Sequence, residues 1–150
     1  MRHKKSGRHF GRTANQRKAL LRGLVSSLIL HERIETTLAR AKETRKIAER
    51  LITKGIKGDL ASRRVALSDL PDKPAVAKLF NSIGPRLQGR PGGYLRIVQT
   101  RRRVNDSAPM AVLEFVDFEE ERTKGQAEKK EEKKPKKEEK AKKEEKGKEK

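Results

Sequence analysis

Tyr94-Leu95-Arg96-Ile97-Val98-Gln99-Thr100 and Met110-Ala111-Val112-Leu113-Glu114-Phe115-Val116 decide how this chain folds. Both runs are rich in β-branched and other apolar residues, and both are bounded by Gly, Pro, Asn, Asp or Ser, as strands are. Leu95 and Ile97 in the first, with Ala111, Leu113 and Phe115 in the second, supply one apolar face. Between the runs stand Arg101-Arg102-Arg103 and Asn105-Asp106-Ser107, the latter ordinary turn formers. The two runs predict an antiparallel hairpin with a basic tip. The short segment Arg33-Ile34-Glu35-Thr36-Thr37 reads as a third strand.

Outward from this sheet the periodicity changes to that of helices. Leu20, Leu24 and Leu28 recur every four residues with Leu21 and Val25 beside them. They predict a helix from Thr13 to about His31, capped by Thr13 or Asn15. A second helix, about Ala39 to Lys54, has Ala41, Ala48, Leu51 and Ile52 as its buried stripe and ends at Gly55 and Gly58. Its other side carries Lys42, Lys46, Arg50 and Lys54 at intervals of four, a repulsive spacing that Glu43 and Glu49 partly offset. A third helix spans Asp59 to about Leu70, with Leu60, Val65 and Leu67 apolar and Arg63-Arg64 exposed. A fourth spans Ala75 to about Ile83, with Val76, Leu79, Phe80 and Ile83 on one face and Gly84-Pro85 as its stop. The expected fold class is α+β: about four helices packed on a small three-stranded sheet.

Both ends differ in composition from this body. The first 31 residues hold eight Lys or Arg, all three histidines and no acid; Glu32 is the first. Gly7 and Gly11 interrupt any helix in residues 1–12, which read as an extended basic arm that orders on a polyanion. Residues 13–118 form the compact domain. Residues 119–150 repeat Lys-Lys-Glu-Glu units without an apolar stripe and read as a disordered charged tail. That tail has 14 Lys or Arg and 11 Asp or Glu, so 26 and 10 stand before it. The body and arm therefore carry most of the net charge of +19.

Composition excludes several classes of function. Without Cys there is no disulfide and no thiolate metal site. No apolar run approaches the length of a membrane span or a signal-peptide core, so a soluble cytoplasmic protein is expected. His3, His9 and His31 lack companions at metal-ligand spacing, and the glycine-rich loop Arg86 to Gly93 has no Lys-Ser/Thr ending to make it a phosphate-binding loop for a nucleotide. No nucleophile has a visible base. The chain is therefore expected not to be an enzyme, with no cofactor, no small-molecule substrate and no membrane partner. The charge points to nucleic acid. One Tyr and four Phe leave few rings for base stacking. Arg and Lys on phosphates, with Gly loops allowing close approach, suit a folded RNA of fixed shape or DNA bound without sequence preference.

Several motifs carry a resemblance. Met1-Arg2-His3-Lys4-Lys5-Ser6-Gly7-Arg8 opens the chain, and Gln16-Arg17-Lys18-Ala19-Leu20 lies at the start of the first helix. Thr36-Thr37-Leu38-Ala39-Arg40-Ala41-Lys42-Glu43 joins strand to helix. Gly92-Gly93-Tyr94-Leu95-Arg96-Ile97 and Ala108-Pro109-Met110-Ala111 belong to the hairpin. In this order and at these distances they resemble the bacterial large-subunit ribosomal protein L17 family from Met1 to about Val116. Gln16 is a departure, since a His is expected there. The resemblance implies a structural constituent of the bacterial large ribosomal subunit. Its partners would be large-subunit ribosomal RNA and neighbouring proteins near the outer end of the peptide exit tunnel, and it would be a monomer outside the ribosome. It places RNA contact on Arg2, His3, Lys4, Lys5, Arg8, Arg12, Arg17 and Lys18. It adds Thr36, Thr37, Lys42 and Arg45, and then Arg90, Gly92, Gly93, Tyr94 and Arg96. The alternative reading of the same charge is a nucleoid-type, DNA-binding architectural protein, which would be dimeric.

Overall fold

The computed structural model describes residues 7–118. Packing separates a body that ends at Val116 from a second unit that begins at Asp117. Residues 1–6 of the expected arm, and the charged stretch 119–150, lie outside the described residues. In the body the order is α1 (Ala14–His31), β1 (Arg33–Thr37), α2 (Leu38–Lys57), α3 (Leu60–Asp69) and α4 (Lys73–Lys78). A π turn (Leu79–Ile83) and one last turn, α5 (Gly84–Arg86), follow, then β2 (Leu95–Arg102) and β3 (Pro109–Phe115). The expected α+β class, with helices against a three-stranded sheet, is the observed one.

The sheet is antiparallel throughout, in the order β1-β3-β2. The last strand in sequence is thus the central one. Its register fixes two faces. Ile34, Leu113 and Ile97 form one cross-strand row, and Leu95 pairs with Phe115. This face turns to the helices: Ala111, Leu113 and Phe115 are fully buried. The opposite face carries the row Arg33, Glu114, Arg96. There Glu114 is buried under two arginines, with Arg96 Nε 2.6 Å and Arg33 Nε 3.3 Å from its carboxylate. Opposite charges side by side across strands stabilise a sheet.

Glu32 makes the corner between α1 and β1. It adopts a left-handed backbone (φ 61°), a conformation that costs a non-glycine residue roughly 1 kcal/mol. Its amide donates to Leu28 O, closing the helix, and its carbonyl accepts the amide of Phe115 in β3. Its carboxylate lies 2.7 Å from Lys78 Nζ and 2.9 Å from Arg86 Nη2. Four elements therefore meet on one residue. Burial alone would raise this carboxyl, but the hydrogen bonds and charges of Lys78 and Arg86 outweigh it and hold it below its ordinary value.

Two helices differ from their expected limits, and two differ in the residues they bury. α2 does not end at Gly55; it runs to Lys57 and is closed by Gly58 in the left-handed region (φ 72°). Gly55 instead allows Leu79 to pack directly on the helix backbone. Gly84-Pro85 does not stop the fourth helix, which continues through the π turn and one more α turn. The π turn changes the hydrogen-bond register just before Pro85, so the missing proline N–H falls at the start of a new turn, where helices tolerate it. In α3, Leu60, Val65 and Leu67 are exposed, and the buried stripe is Ala66 with Leu70, four residues apart. In α1 only the second half is buried, through Val25, Ser26, Leu28 and Ile29; Leu20, Leu21 and Leu24 are half-buried.

A Cβ on Gly84 would stand 2.6 Å from the carbonyl oxygen of Gly55, a backbone atom with nowhere to go. Gly84→Ala should therefore cost about 2–3 kcal/mol in urea unfolding. Gly23, in α1 with no heavy atom near its missing Cβ, should gain about 0.5–1 kcal/mol as Ala. Equal effects at the two sites would contradict the packing. Glu32→Gln should cost about 2 kcal/mol at pH 7, since it removes the carboxylate that Lys78 and Arg86 share. Because the folded carboxyl titrates below its ordinary value of 4.5, its contribution is complete above that pH and is lost as pH falls through the lower, folded value. Stability curves of the two proteins should accordingly converge in acid, and a constant gap would show that the charge is not what matters.

Candidate nucleic-acid interface

Helix α2 buries Ala41, Thr44, Ala48, Leu51, Ile52 and Gly55, which leaves Lys42, Arg45, Lys46, Arg50 and Lys57 exposed on the other side. These cations form a rail along the helix, and a depression flanks it on each side. Towards α1 an open groove of about 430 Å³ is lined by Arg17, Lys18 and Arg22 from α1 and by Arg50 and Lys54 from α2. Asp69, at the end of α3, is the acid in that lining and sits 3.5 Å from Lys54. Arg22 is held by a hydrogen bond to the carbonyl of Ser68. Like charges gathered this closely repel, and a bound polyanion relieves the repulsion.

On the other flank a depression of about 710 Å³ lies between α2 and β2. Lys42, Arg45 and Lys46 face Ile97 and Gln99 across it, with Arg8 and Gly93 on its rim. Its two acids are already occupied. Glu43 pairs with Lys46 at 3.2 Å. Glu49 pairs with Arg45 at 3.5 Å and accepts the amides of Tyr94 and Leu95, both at 3.3 Å. Glu49 thereby ties the rail to the first residues of β2.

The described part of the arm lies against this surface. His9 Nδ1 is 2.7 Å from Arg17 Nη1, within hydrogen-bonding distance of the guanidinium. Arg12 donates to the carbonyl of Phe10, and its amide to that of His9. Left-handed backbone at Gly7, Phe10 and Gly11 coils the segment into a compact turn. Gly7 approaches Glu43 while Arg8 lines the depression beside β2, so residues 7–12 pass from the start of α1 to the first half of α2. At that start Gln16 acts on the fold itself. Its Oε1 accepts the amide of Thr13 at 3.2 Å and closes the first turn of α1.

The expected contact residues divide into groups. Arg8, Arg17, Lys18, Lys42 and Arg45 come together around the α2 rail, with Arg12 exposed beside them. Arg90 and Gly93 are exposed in the loop before β2, where Gly92 (φ 155°) and Gly93 (φ 65°) turn the chain into the strand. Thr37 is half-buried at the start of α2. Arg96 is elsewhere, on the outer sheet face with Glu114. Thr36 and Tyr94 are buried in the body, 6% and 4% exposed. Arg2, His3, Lys4 and Lys5 lie outside the described residues. Arg22, Lys46, Arg50 and Lys54 join the interface beyond the expected set. The four-residue spacing of Lys46, Arg50 and Lys54 on α2 was the visible signal, while Arg22 enters through the facing of α1 against α2, which completes the groove. Among the described residues no His, Asp or Glu cluster gathers to hold a metal ion, and no helix is long and apolar enough to cross a membrane.

The family model described as ribosomal protein L17 matches residues 20–116. Over 130 residues the chain is 61% identical to the large ribosomal subunit protein bL17 of Thermodesulfovibrio yellowstonii, across 87% of this chain and 98% of that protein. This chain belongs to the ribosomal protein L17 family. The bL17 protein of Allorhizobium ampelinum is 51% identical over 129 residues, 86% of this chain and 91% of the relative. That of Syntrophotalea carbinolica is 50% identical over 119 residues, 79% and 77% of the two chains. The family is one of structural ribosomal proteins, not of enzymes, and the nucleoid-type alternative is not favoured. The matched span takes in the whole α2 rail, while Arg17 and Lys18 lie just before it.

Reversing one charge on each wall of the groove, Lys18→Glu with Arg50→Glu, should weaken RNA binding without changing the melting temperature, since both side chains are exposed. The slope of log affinity against log salt should fall by about 1.4–1.8 if each contacts one phosphate. An unchanged slope would remove the groove from the interface.

Proposed function

We infer that this protein is a structural constituent of the bacterial large ribosomal subunit, where it packs against ribosomal RNA and so supports translation in the cytoplasm. The observation that carries this reading is the cationic rail of α2, flanked by two basic depressions, in a member of the L17 family. A rail of Lys and Arg with little aromatic surface reads phosphate positions and RNA shape rather than base identity. Arg8, Arg12, Arg17, Lys18, Lys42 and Arg45 make the contacts, joined by Arg2, His3, Lys4 and Lys5 as the arm extends along RNA. Arg90, Gly92 and Gly93 let a backbone approach the start of β2. Arg96 contributes from the outer sheet face.

The finer partners rest on the family resemblance alone: proteins around the outer end of the exit tunnel, and a monomeric state before assembly. The division into arm (1–12), compact domain (13–118) and charged tail (119–150) rests on composition, which changes at Glu119.

Sucrose-gradient sedimentation of a cell lysate, before and after a high-salt wash, tests the reading. The protein should migrate with the large subunit in equal amount and survive the wash. Migration with the nucleoid, or release to the top of the gradient, would overturn it.

A further inference from the structure

Beyond Gln99 the β2–β3 hairpin leaves the body. The last pair that β1 makes with β3 is Thr37 with Met110. Past it the two remaining strands have only each other, and Arg102 pairs with Pro109. Thr100 and Arg101 stand opposite the single residue Met110, a bulge that bends the ribbon where it departs. Every residue from 98 to 107 is exposed. From Gln99 to Arg102 the strand part of the projection spans roughly 10 Å at strand rise, and the turn lies beyond it.

A bare two-stranded ribbon in water is marginal, yet this one is closed by a dense set of local bonds. Arg103 grips Asp106 through two contacts of 2.8 Å, from Nε and Nη2. The amide of Arg103 donates to Ala108 O, and that of Ser107 donates to Arg103 O. Asp106 also accepts the amide of Ala108. Ser107 takes the left-handed conformation (φ 51°) that lets the chain turn back. One arginine and one aspartate are thus used to hold the tip, and the net charge falls to Arg101 and Arg102. Arg101 is 76% exposed, with Glu35 3.9 Å away, and Arg102 has no ion pair among the described residues. Val104, at the apex, is 89% exposed, an apolar side chain with nothing to cover it.

Resting on the ribosomal reading above, we infer that this hairpin is a second RNA-binding element: a preformed finger whose Arg101 and Arg102 seat on phosphates of an RNA segment separate from the one along the α2 rail, with Val104 packed against sugar or base at its tip. Guanidinium groups on a rigid ribbon match phosphate geometry. A protein partner would need more apolar surface than Val98 and Val104 provide. A chain holding two RNA segments at once acts as a clamp between them. The finger is ready before binding and loses little entropy in docking.

The chain has no cysteine, so single-cysteine probes can be placed cleanly. Full-length Val104→Cys and Thr53→Cys proteins, each carrying tethered iron-EDTA, are assembled into large subunits and hydroxyl-radical cleavage of the RNA is mapped. Thr53 is exposed on α2 near the rail. Cuts from Val104 should be localised and at nucleotides distinct from those cut from Thr53. Cuts from Thr53 but none from Val104 would put the finger in solvent or on a protein and overturn the inference. Coincident cuts would show one continuous contact and also overturn it. Silence from both would sink the ribosomal reading itself. In parallel, Arg101→Glu with Arg102→Glu should leave melting unchanged and lower the salt slope for large-subunit RNA by about 1.4–1.8; an unchanged slope would deny phosphate contact by the finger.

Discussion

Glu32 is the joint on which the body turns. Its backbone ends α1 and leads into β1, its carbonyl accepts the amide at the end of β3, and its carboxylate holds Lys78 and Arg86. Arg86 in turn lies over the ring of Phe115, 5.8 Å from its centre, at the floor of the sheet. A buried carboxylate without partners would be costly, and two cations without it would repel each other. The three charges are stable only together, and holding them together requires that the helix end, the α4–α5 segment and the central strand be in place at once. The left-handed backbone at Glu32 persists because the surroundings define it from three sides.

Five other acids of the body follow the same logic. Glu49 joins α2 to β2, Glu114 holds Arg33 and Arg96 on the outer sheet face, and Glu43 steadies Lys46. Asp59 caps α3 through the amide of Ser62, and Asp106 locks the hairpin tip. The negative charge is used for shape. What is left over is positive, carried on α2, on the first half of α1 and on the projecting ribbon. The excess charge is therefore a surface property produced by the internal use of the acids, and it is arranged by rigid elements, so it can match a partner of fixed form.

Much of this was readable in the sequence. The hairpin, β1 and the four main helices follow from local periodicity, which depends on neighbours close in the chain. The details that were not readable depend on contacts far apart in it. Gly55 and Gly84 look like helix stops, yet Gly55 makes room for Leu79 of the π turn and Gly84 lets the start of α5 lie against the backbone of Gly55. Leu60, Val65 and Leu67 are the large apolar residues of α3, yet they are exposed, and Ala66 and Leu70 hold the helix down. Thr36 and Tyr94 sit inside motifs rich in exposed cations, and nothing local says that their own side chains turn inward. In the interface the cations of α2 were visible as a four-residue repeat. The groove they share with α1 was not, because it is made by the packing of two helices.

The strand order also governs how the chain acquires its shape. β1 is complete by residue 37, yet its partner is β3, so Ile34 waits for Leu113, about 80 residues later. Contacts of such sequence separation close late, because the loop between them must first be ordered. During synthesis the N-terminal half emerges with its cations displayed and its sheet unfinished, and Glu32 has no Phe115 amide to accept. The basic surface is therefore presented before the scaffold that holds it is locked. The arrival of one central strand converts a set of helices into a body with a fixed pattern of charge.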